Sequence, residues 1–180
     1  SEKYSDKIYV VDSLSACAGE RILCEYALKL IEEGKNVKEI YEELLIVRNK
    51  IKVFAVVDTL EYLKKGGRIS PLVSFAGELL SIKPVISINE GEVQLIGKTR
   101  GTKNAHAFLN QKIVENGIDT SLPFTTVYSG LEDKIIKKYI EDNISIFNGL
   151  SLEEIKISPL GSTIGTHVGP GAIGVVFFAK

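Results

Sequence analysis

Residues 53–57, Val53-Phe54-Ala55-Val56-Val57, form an unbroken apolar run that stops at Asp58-Thr59. A strand with one wet face alternates apolar and polar side chains, whereas a strand covered on both faces does not need to. The run therefore predicts a strand inside a sheet buried on both sides, and the residues before it read as cover for that sheet. Residues 19–33 set Ile22, Leu23, Tyr26, Ala27, Leu30 and Ile31 at three- and four-residue spacing and stop at Gly34, the pattern of an amphipathic helix. Asn36 and Glu39 make a capping-box pair ahead of Ile40, Leu44, Leu45 and Val47, which starts a second helix. A shorter run, Ile8-Tyr9-Val10-Val11, closed by Asp12-Ser13, reads as another buried strand. Strand, helices and strand in this order define an α/β unit.

After a short helical turn over 60–65, the cluster Gly66-Gly67-Arg68-Ile69-Ser70-Pro71 breaks the pattern. A domain boundary is expected there, with 1–70 an α/β unit in which helices cover a buried sheet and 71–180 a C-terminal α+β domain. The second part opens with a helix over 72–80 and then a β-hairpin, 84–88 and 93–97, joined by the turn Asn89-Glu90-Gly91. Helix over 101–116, strand over 124–128, helix over 131–147, and strands over 154–157 and 172–179 complete it.

Lysine and arginine number 22 against 23 acids, a net charge of −1 that offers no broad basic field for nucleic acid and no polybasic membrane anchor. Any anion site must be local. No apolar run approaches the roughly 20 residues of a membrane span, and Ser1-Glu2-Lys3-Tyr4-Ser5-Asp6-Lys7 lacks a signal-peptide pattern; the default location is cytoplasmic. A chain without methionine does not begin at a natural start codon, so a fragment or processed product is expected. Cys17 and Cys24 fall in one expected helix, which separates their Cα atoms by about 10.5 Å, beyond disulfide reach. They read as buried helix-face thiols, and neither they nor the histidines have metal-ligand spacing.

Three basic turns and one histidine remain as candidate chemistry. His167-Val168-Gly169-Pro170-Gly171 puts a titratable donor at a glycine bend, where the N–H groups of Gly169 and Gly171 can converge on an anion. Gly97-Lys98-Thr99-Arg100-Gly101 lies where a strand turns into a helix, so Arg100 sits near the positive helix end and can take a carboxylate or phosphate in bidentate fashion. Lys64, Lys65 and Arg68 form the third basic spot. Gly169-Pro170-Gly171-Ala172-Ile173-Gly174 has the letters of a dinucleotide fingerprint, but a strand follows it where the fingerprint needs a helix. Gly97-Lys98-Thr99 lacks the earlier glycine of a phosphate loop at the required spacing. No nucleophile elbow, carboxylate pair or Cys–His pair is present, which favours a binding protein over an enzyme.

Asp58-Thr59-Leu60-Glu61-Tyr62-Leu63-Lys64-Lys65-Gly66-Gly67-Arg68-Ile69-Ser70, then Ile82-Lys83-Pro84, Gly97-Lys98-Thr99-Arg100-Gly101 and His167-Val168-Gly169-Pro170-Gly171 resemble, in order and spacing, the DegV family of fatty-acid-binding proteins. The resemblance covers essentially the whole chain and implies the C-terminal part of a two-domain DegV-like fold, lacking the N-terminal third. It implies one long-chain fatty acid such as palmitate as the ligand and no other cofactor. It also implies a non-catalytic, acyl-carrying role beside a fatty acid kinase subunit that phosphorylates the bound carboxyl group with ATP. By motif match, Arg100 and His167 correspond to head-group residues, with a threonine and a serine supplied from segments ahead of Ser1. Val73, Phe75, Leu79 and Leu80 are candidate wall residues for the tail. The alternative is a protein-interaction module in which lipid is a structural filler and Lys64, Lys65 and Arg68 form the docking face. An enzyme acting on a small phosphorylated substrate would need an acid or base that the sequence does not offer.

Overall fold

The computed structural model describes residues 7–69 and 81–180. Their order is α1 (Ala18–Glu32), α2 (Val37–Val47), β1 (Ile51–Val56), α3 (Glu61–Lys65), β2 (Ile82–Asn89), β3 (Glu92–Arg100), α4 (Thr102–Asn116), β4 (Thr125–Tyr128), α5 (Lys134–Asp142), β5 (Ile157–Pro159), α6 (Ser162–Val168) and β6 (Ile173–Phe178). Among the described residues the strands form one six-stranded sheet in the order β3-β2-β1-β6-β4-β5. Neighbours run antiparallel except β4 and β5, which are parallel.

Both faces of this sheet are covered, as the unbroken run of β1 predicts. On one face Phe54, Val56, Ile173, Val175 and Phe177 meet Ala105, Leu109 and Ile113 of α4 and Ile136, Tyr139 and Ile140 of α5. On the other, Val176, Phe178 and Val127 pack on Ile22 and Leu23 of α1 and Leu44 and Val47 of α2. Beside them, Val57, Ile86 and Ala172 gather with Leu60 and Leu63 around α3. β6 is buried along its whole length, which is why its six residues carry no polar side chain.

Local signals account for most element ends. Asn36 caps α2: its side chain accepts from Lys38 N (3.0 Å) and Glu39 N (3.1 Å), while Glu39 Oε2 accepts from Asn36 N (2.8 Å). The β2–β3 hairpin turns on Glu90 (φ 51°) and Gly91 (φ 81°), with Asn89 opposite Glu92. Positive φ at both loop residues is the type I′ geometry that follows the natural twist of two strands.

Several expectations are corrected. The boundary at 70/71, between the 1–70 and 71–180 units, falls between β1 and β2, which are hydrogen-bonded neighbours in one sheet, so the described residues on either side share a core. Residues 8–11 are not a strand: they have no sheet partner among the described residues, and Ile8 and Val10 are 60% and 82% exposed. Cys24 is exposed, and Cys17 is half-buried as the residue before α1, where burial pushes its thiol pKa up. The expected helix over 131–147 splits at Asn143 into α5 and a 3₁₀ turn, Ile144–Phe147. The strand expected over 154–157 is displaced to β5, and Leu152–Glu154 is a 3₁₀ turn capped by Ser151. The expected helix over 72–80, with Val73, Phe75, Leu79 and Leu80, lies outside the described residues. No helix among the described residues is long and apolar enough to cross a membrane.

Phe177 touches the α4–α5 side of the core and is fully buried. Replacing it with Ala is expected to cost about 3–5 kcal/mol of unfolding free energy, seen as a lower denaturant midpoint with an unchanged slope. A loss below about 1 kcal/mol would contradict burial of Phe177 against α4 and α5.

Candidate functional site

β1 ends at the top of the sheet, and the chain leaves it through Val57-Asp58-Thr59-Leu60 into α3. Leu60 and Leu63 are buried and anchor this short helix to the sheet, while Thr59 Oγ1 accepts from Glu61 N (3.2 Å) at its start. Lys65 pairs with Glu61 one turn earlier (2.6 Å). Gly66 and Gly67 end the helix: Arg68 N donates to Leu63 O (2.9 Å), and the Arg68 guanidinium folds back on Gly66 O (2.9 Å).

α6 was not expected from sequence, since Ser162–Val168 contains Gly165, two threonines and only two apolar residues, Ile164 and Val168. It packs against α3 through two ring-on-glycine contacts. A Cβ built on Gly66 would lie 2.1 Å from His167 Nδ1, and one on Gly169 would lie 2.3 Å from Cδ2 of Tyr62. Each helix therefore offers a glycine to an aromatic or imidazole ring of the other. His167 thus occupies the last turn of α6 rather than the glycine bend. Its Nδ1 is buried and, among the described residues, has no hydrogen-bond partner.

The bend after α6 is pinned to Ser129, which follows β4. Ser129 Oγ donates to Gly169 O and accepts from Ala172 N (2.9 Å), and Ser129 O accepts from Gly171 N (2.9 Å). Gly169 N donates to Gly165 O (2.8 Å). The expectation that Gly169 and Gly171 present N–H groups to an anion is therefore corrected: those donors are already used within the fold. Their φ values of 75° and 77° are what the bend requires of glycine.

Across from the bend, Asp58 forms an ion pair with Lys83 of β2. Thr99 Oγ1 donates to the Lys83 carbonyl (3.2 Å), tying β3 to the same spot. A cavity of about 440 Å³ opens here, and its walls include Asp58, Lys83, Thr102, His106, Pro170 and Gly171. It brings the loop after α6 and the first turn of α4 to one space. Arg100 is exposed at the end of β3, two residues before Thr102, and its carbonyl accepts from Asn104 Nδ2 (2.8 Å). Arg100 and His167 each adjoin, in sequence, a segment that walls the cavity, but neither side chain is part of the wall. Lys64, Lys65 and Arg68 lie at the end of α3 and just past it, beside the Gly66–His167 contact.

Sequence reasoning did not single out Thr102 or His106, and met Lys83 only within the Ile82-Lys83-Pro84 motif, with no role. His106 lies edge-on to Tyr139 (4.9 Å between centroids, 76°) and also borders a groove of about 850 Å³ between α4 and α5. Desolvation lowers its pKa, with the nearby Asp142 opposing the shift. Its spacing with Leu109 and Ile113 was the available signal, since it shares the inward side of α4.

With this geometry in place, comparison with known proteins is decisive. The family model described as "Uncharacterised protein, DegV family" matches residues 1–180. The chain belongs to the DegV family. A DegV domain-containing protein of Clostridium acetobutylicum is 37% identical over 97% of the chain and 61% of its own length. One from Lactococcus lactis is 35% identical over 98% and 60%. The chain thus spans about three-fifths of the length of these curated relatives. Among solved structures, a DegV protein from Thermus thermophilus described for its fatty acid binding is 31% identical, with a TM-score of 0.81 over 99% of this chain and 63% of its own. One from Eubacterium eligens, loaded with heptadecanoic acid, is 26% identical, also with a TM-score of 0.81, over 97% and 62%. The Streptococcus pneumoniae Fatty Acid Kinase (Fak) B3 protein, loaded with linoleic acid, shares the fold at a TM-score of 0.82 and 24% identity over 99% and 62%.

Two outcomes test the site. Gly169→Ala forces both a clash with Tyr62 and a left-handed alanine, and is expected to destabilise by about 1–3 kcal/mol. Gly165→Ala in the open middle of α6 should be neutral or stabilising by up to about 1 kcal/mol; equal effects in thermal melts would contradict the α3–α6 contact. Because the folded-state pKa of His106 lies below the ordinary histidine value of 6.5, the unfolded chain takes up that proton first. Stability should therefore fall as pH drops below 6.5 and level off once the folded histidine also protonates. His106→Gln should flatten that part of a stability-versus-pH curve.

Proposed function

We propose that this chain forms the larger part of a carrier that holds one long-chain fatty acid and presents its carboxyl group to a separate kinase subunit. The observation that carries the reading is the 31% identity, across 99% of the chain, to the fatty-acid-binding Thermus thermophilus protein. The heptadecanoic acid held by the Eubacterium eligens protein supports it. Burial of a sixteen-carbon tail, at about 0.8 kcal/mol per methylene, supplies on the order of 11 kcal/mol of gross driving force before ordering costs. A carboxylate withdrawn from water must be paired and hydrogen-bonded. Arg100 is assigned the compensating charge. His167 is assigned a hydrogen bond to the head group and part of the stabilisation of the added charge on an acyl phosphate; its Nδ1 has no hydrogen-bond partner among the described residues.

On this reading the chain is a carrier, not a catalyst, and works in the cytoplasm. Lys64, Lys65 and Arg68 stand beside His167, so a kinase subunit docking on α3 would meet the head group directly. The rest of the relatives' length supplies the remaining head-group contacts, and neither nucleic acid nor a membrane span has a part in this reading.

Organic extraction and mass spectrometry of the protein at the relatives' full length are expected to yield one fatty acid per chain. Arg100→Ala should weaken acid binding by about 1.5–3 kcal/mol, the worth of a hydrogen bond to a charged group. His167→Ala should reduce phosphorylation by the kinase subunit more than it reduces acid binding. Equal losses would overturn this division of roles, and absence of any acyl chain would favour the protein-docking module instead.

A further inference from the structure

His167 lays one edge of its ring on Gly66. The imidazole atoms that a Cβ at residue 66 would meet are Nδ1 and Cε1, so the Nδ1–Cε1 edge is turned to the glycine and the Nε2–Cδ2 edge is turned away. Nδ1 is buried and has no hydrogen-bond partner among the described residues. Nε2 is not shut off in this way: the residue as a whole is half-buried, and Nδ1 is the one nitrogen of this ring that is both buried and unpartnered. The backbone of Gly66 does not serve Nδ1 either. Gly66 N donates to Tyr62 O (2.9 Å), and Gly66 O accepts from the Arg68 guanidinium (2.9 Å).

A neutral imidazole has one N–H and one lone pair, and which nitrogen carries the hydrogen is decided by what each one faces. A hydrogen on Nδ1 would point at the Cα–H of Gly66 with no acceptor to receive it, and buried donors without acceptors are what folded chains most consistently avoid. A lone pair on Nδ1 takes less room there and meets a weakly positive C–H hydrogen. The packing therefore selects the form with its hydrogen on Nε2. The same choice removes Nε2 as a proton acceptor: it already holds a hydrogen, and moving that hydrogen to Nδ1 would bury an unmet donor.

We propose that Gly66 holds His167 as a fixed Nε2–H donor, which recognises an acceptor head group and does not act as a general base. The target, a carboxylate or acyl phosphate, rests on the carrier reading above; the position of the hydrogen rests on the packing alone. A carboxylate needs no base before it attacks a phosphoryl group, because it has already lost its proton near neutral pH. A donor, by contrast, suits the acid and its phosphate alike. It also sets a rule of selection: a long-chain amine, whose protonated head group only donates, finds no acceptor on this histidine. Gly66 is a positioning residue, and His167 is the residue it positions.

The test uses the protein at the relatives' full length, with its histidines labelled in nitrogen-15, at about pH 8.5, where an ordinary imidazole is neutral. Signals lost in His167→Gln belong to His167. Without ligand, a pyridine-type Nδ1 and a pyrrole-type Nε2 are expected; a pyrrole-type Nδ1, or shifts averaged between the two tautomers, would overturn the proposal. Gly66→Ala forces the ring off the end of α3 and is expected to move both shifts toward the averaged values, and unchanged shifts in a folded G66A would overturn the role of Gly66. If G66A loses its circular-dichroism signature, a pair of side-chain variants decides. His167→Asn, whose amide reaches only the Nδ1 position, is expected to bind palmitate about tenfold or more weakly. His167→Gln, whose amide N–H reaches the Nε2 position, should recover most of that loss, and Asn binding as well as Gln would overturn the donor assignment. Absence of palmitate binding in the unaltered protein, with Nδ1 still pyridine-type, would instead remove the carrier reading and leave the tautomer in place.

Discussion

β6 is hydrogen-bonded to β1 on one edge and β4 on the other, and helices cover both of its faces. A strand held on four sides has no freedom of register: a slip by one residue would exchange Phe177 and Phe178 between two differently shaped cores. The chain that enters such a strand must arrive at a fixed point. Here the entering chain is α6 and its glycine bend, so the position of His167 is inherited from the packing of β6. Ser129 sets the entry angle from the neighbouring strand, which makes the bend part of the sheet's hydrogen-bond network rather than a loop laid over it.

The contact between α3 and α6 follows from this. Both helices are too short to be stable alone, and each gains its place from the other. Gly66 receives the imidazole and Gly169 receives the Tyr62 ring. The basic residues after α3 and the histidine of α6 are thereby held as one unit above the end of β1, while Asp58 and Lys83 fix the facing wall. The relative positions of the elements at this end of the molecule are set by close contacts at Gly66 and Gly169.

Most of the layered arrangement was legible in the sequence because it rests on strong periodic signals. The run at 53–57 announced a strand covered twice, Asn36 and Glu39 announced α2, and Asn89-Glu90-Gly91 announced the hairpin. The features that escaped depend on tertiary context. Residues 8–11 have the composition of a strand, but they pair with no strand among the described residues. The break at Gly66 to Pro71 looked like a domain boundary because glycine and proline stop local patterns, yet they cannot say whether the next strand returns to the same sheet. α6 has poor intrinsic helix propensity and is stabilised by α3. Arg100 and His167 stood out in the sequence by residue type and by the turns beside them, whereas Thr102 and His106 join Lys83 only in the cavity wall. The donors of Gly169 and Gly171 looked available because sequence does not show that Ser129 and Gly165 already use them.

Among the described residues β3 is the outermost strand on its side of the sheet, so one row of its backbone groups faces away from β2. Such a margin invites a strand from another molecule and, with it, aggregation. Along β3, Glu92, Gln94, Lys98 and Arg100 are exposed, and a second copy laid along this edge would have to bury charge to pair with it. Arg100 thus adds to the charge that opposes pairing along this edge, and replacing it with an apolar residue would remove that safeguard against self-association.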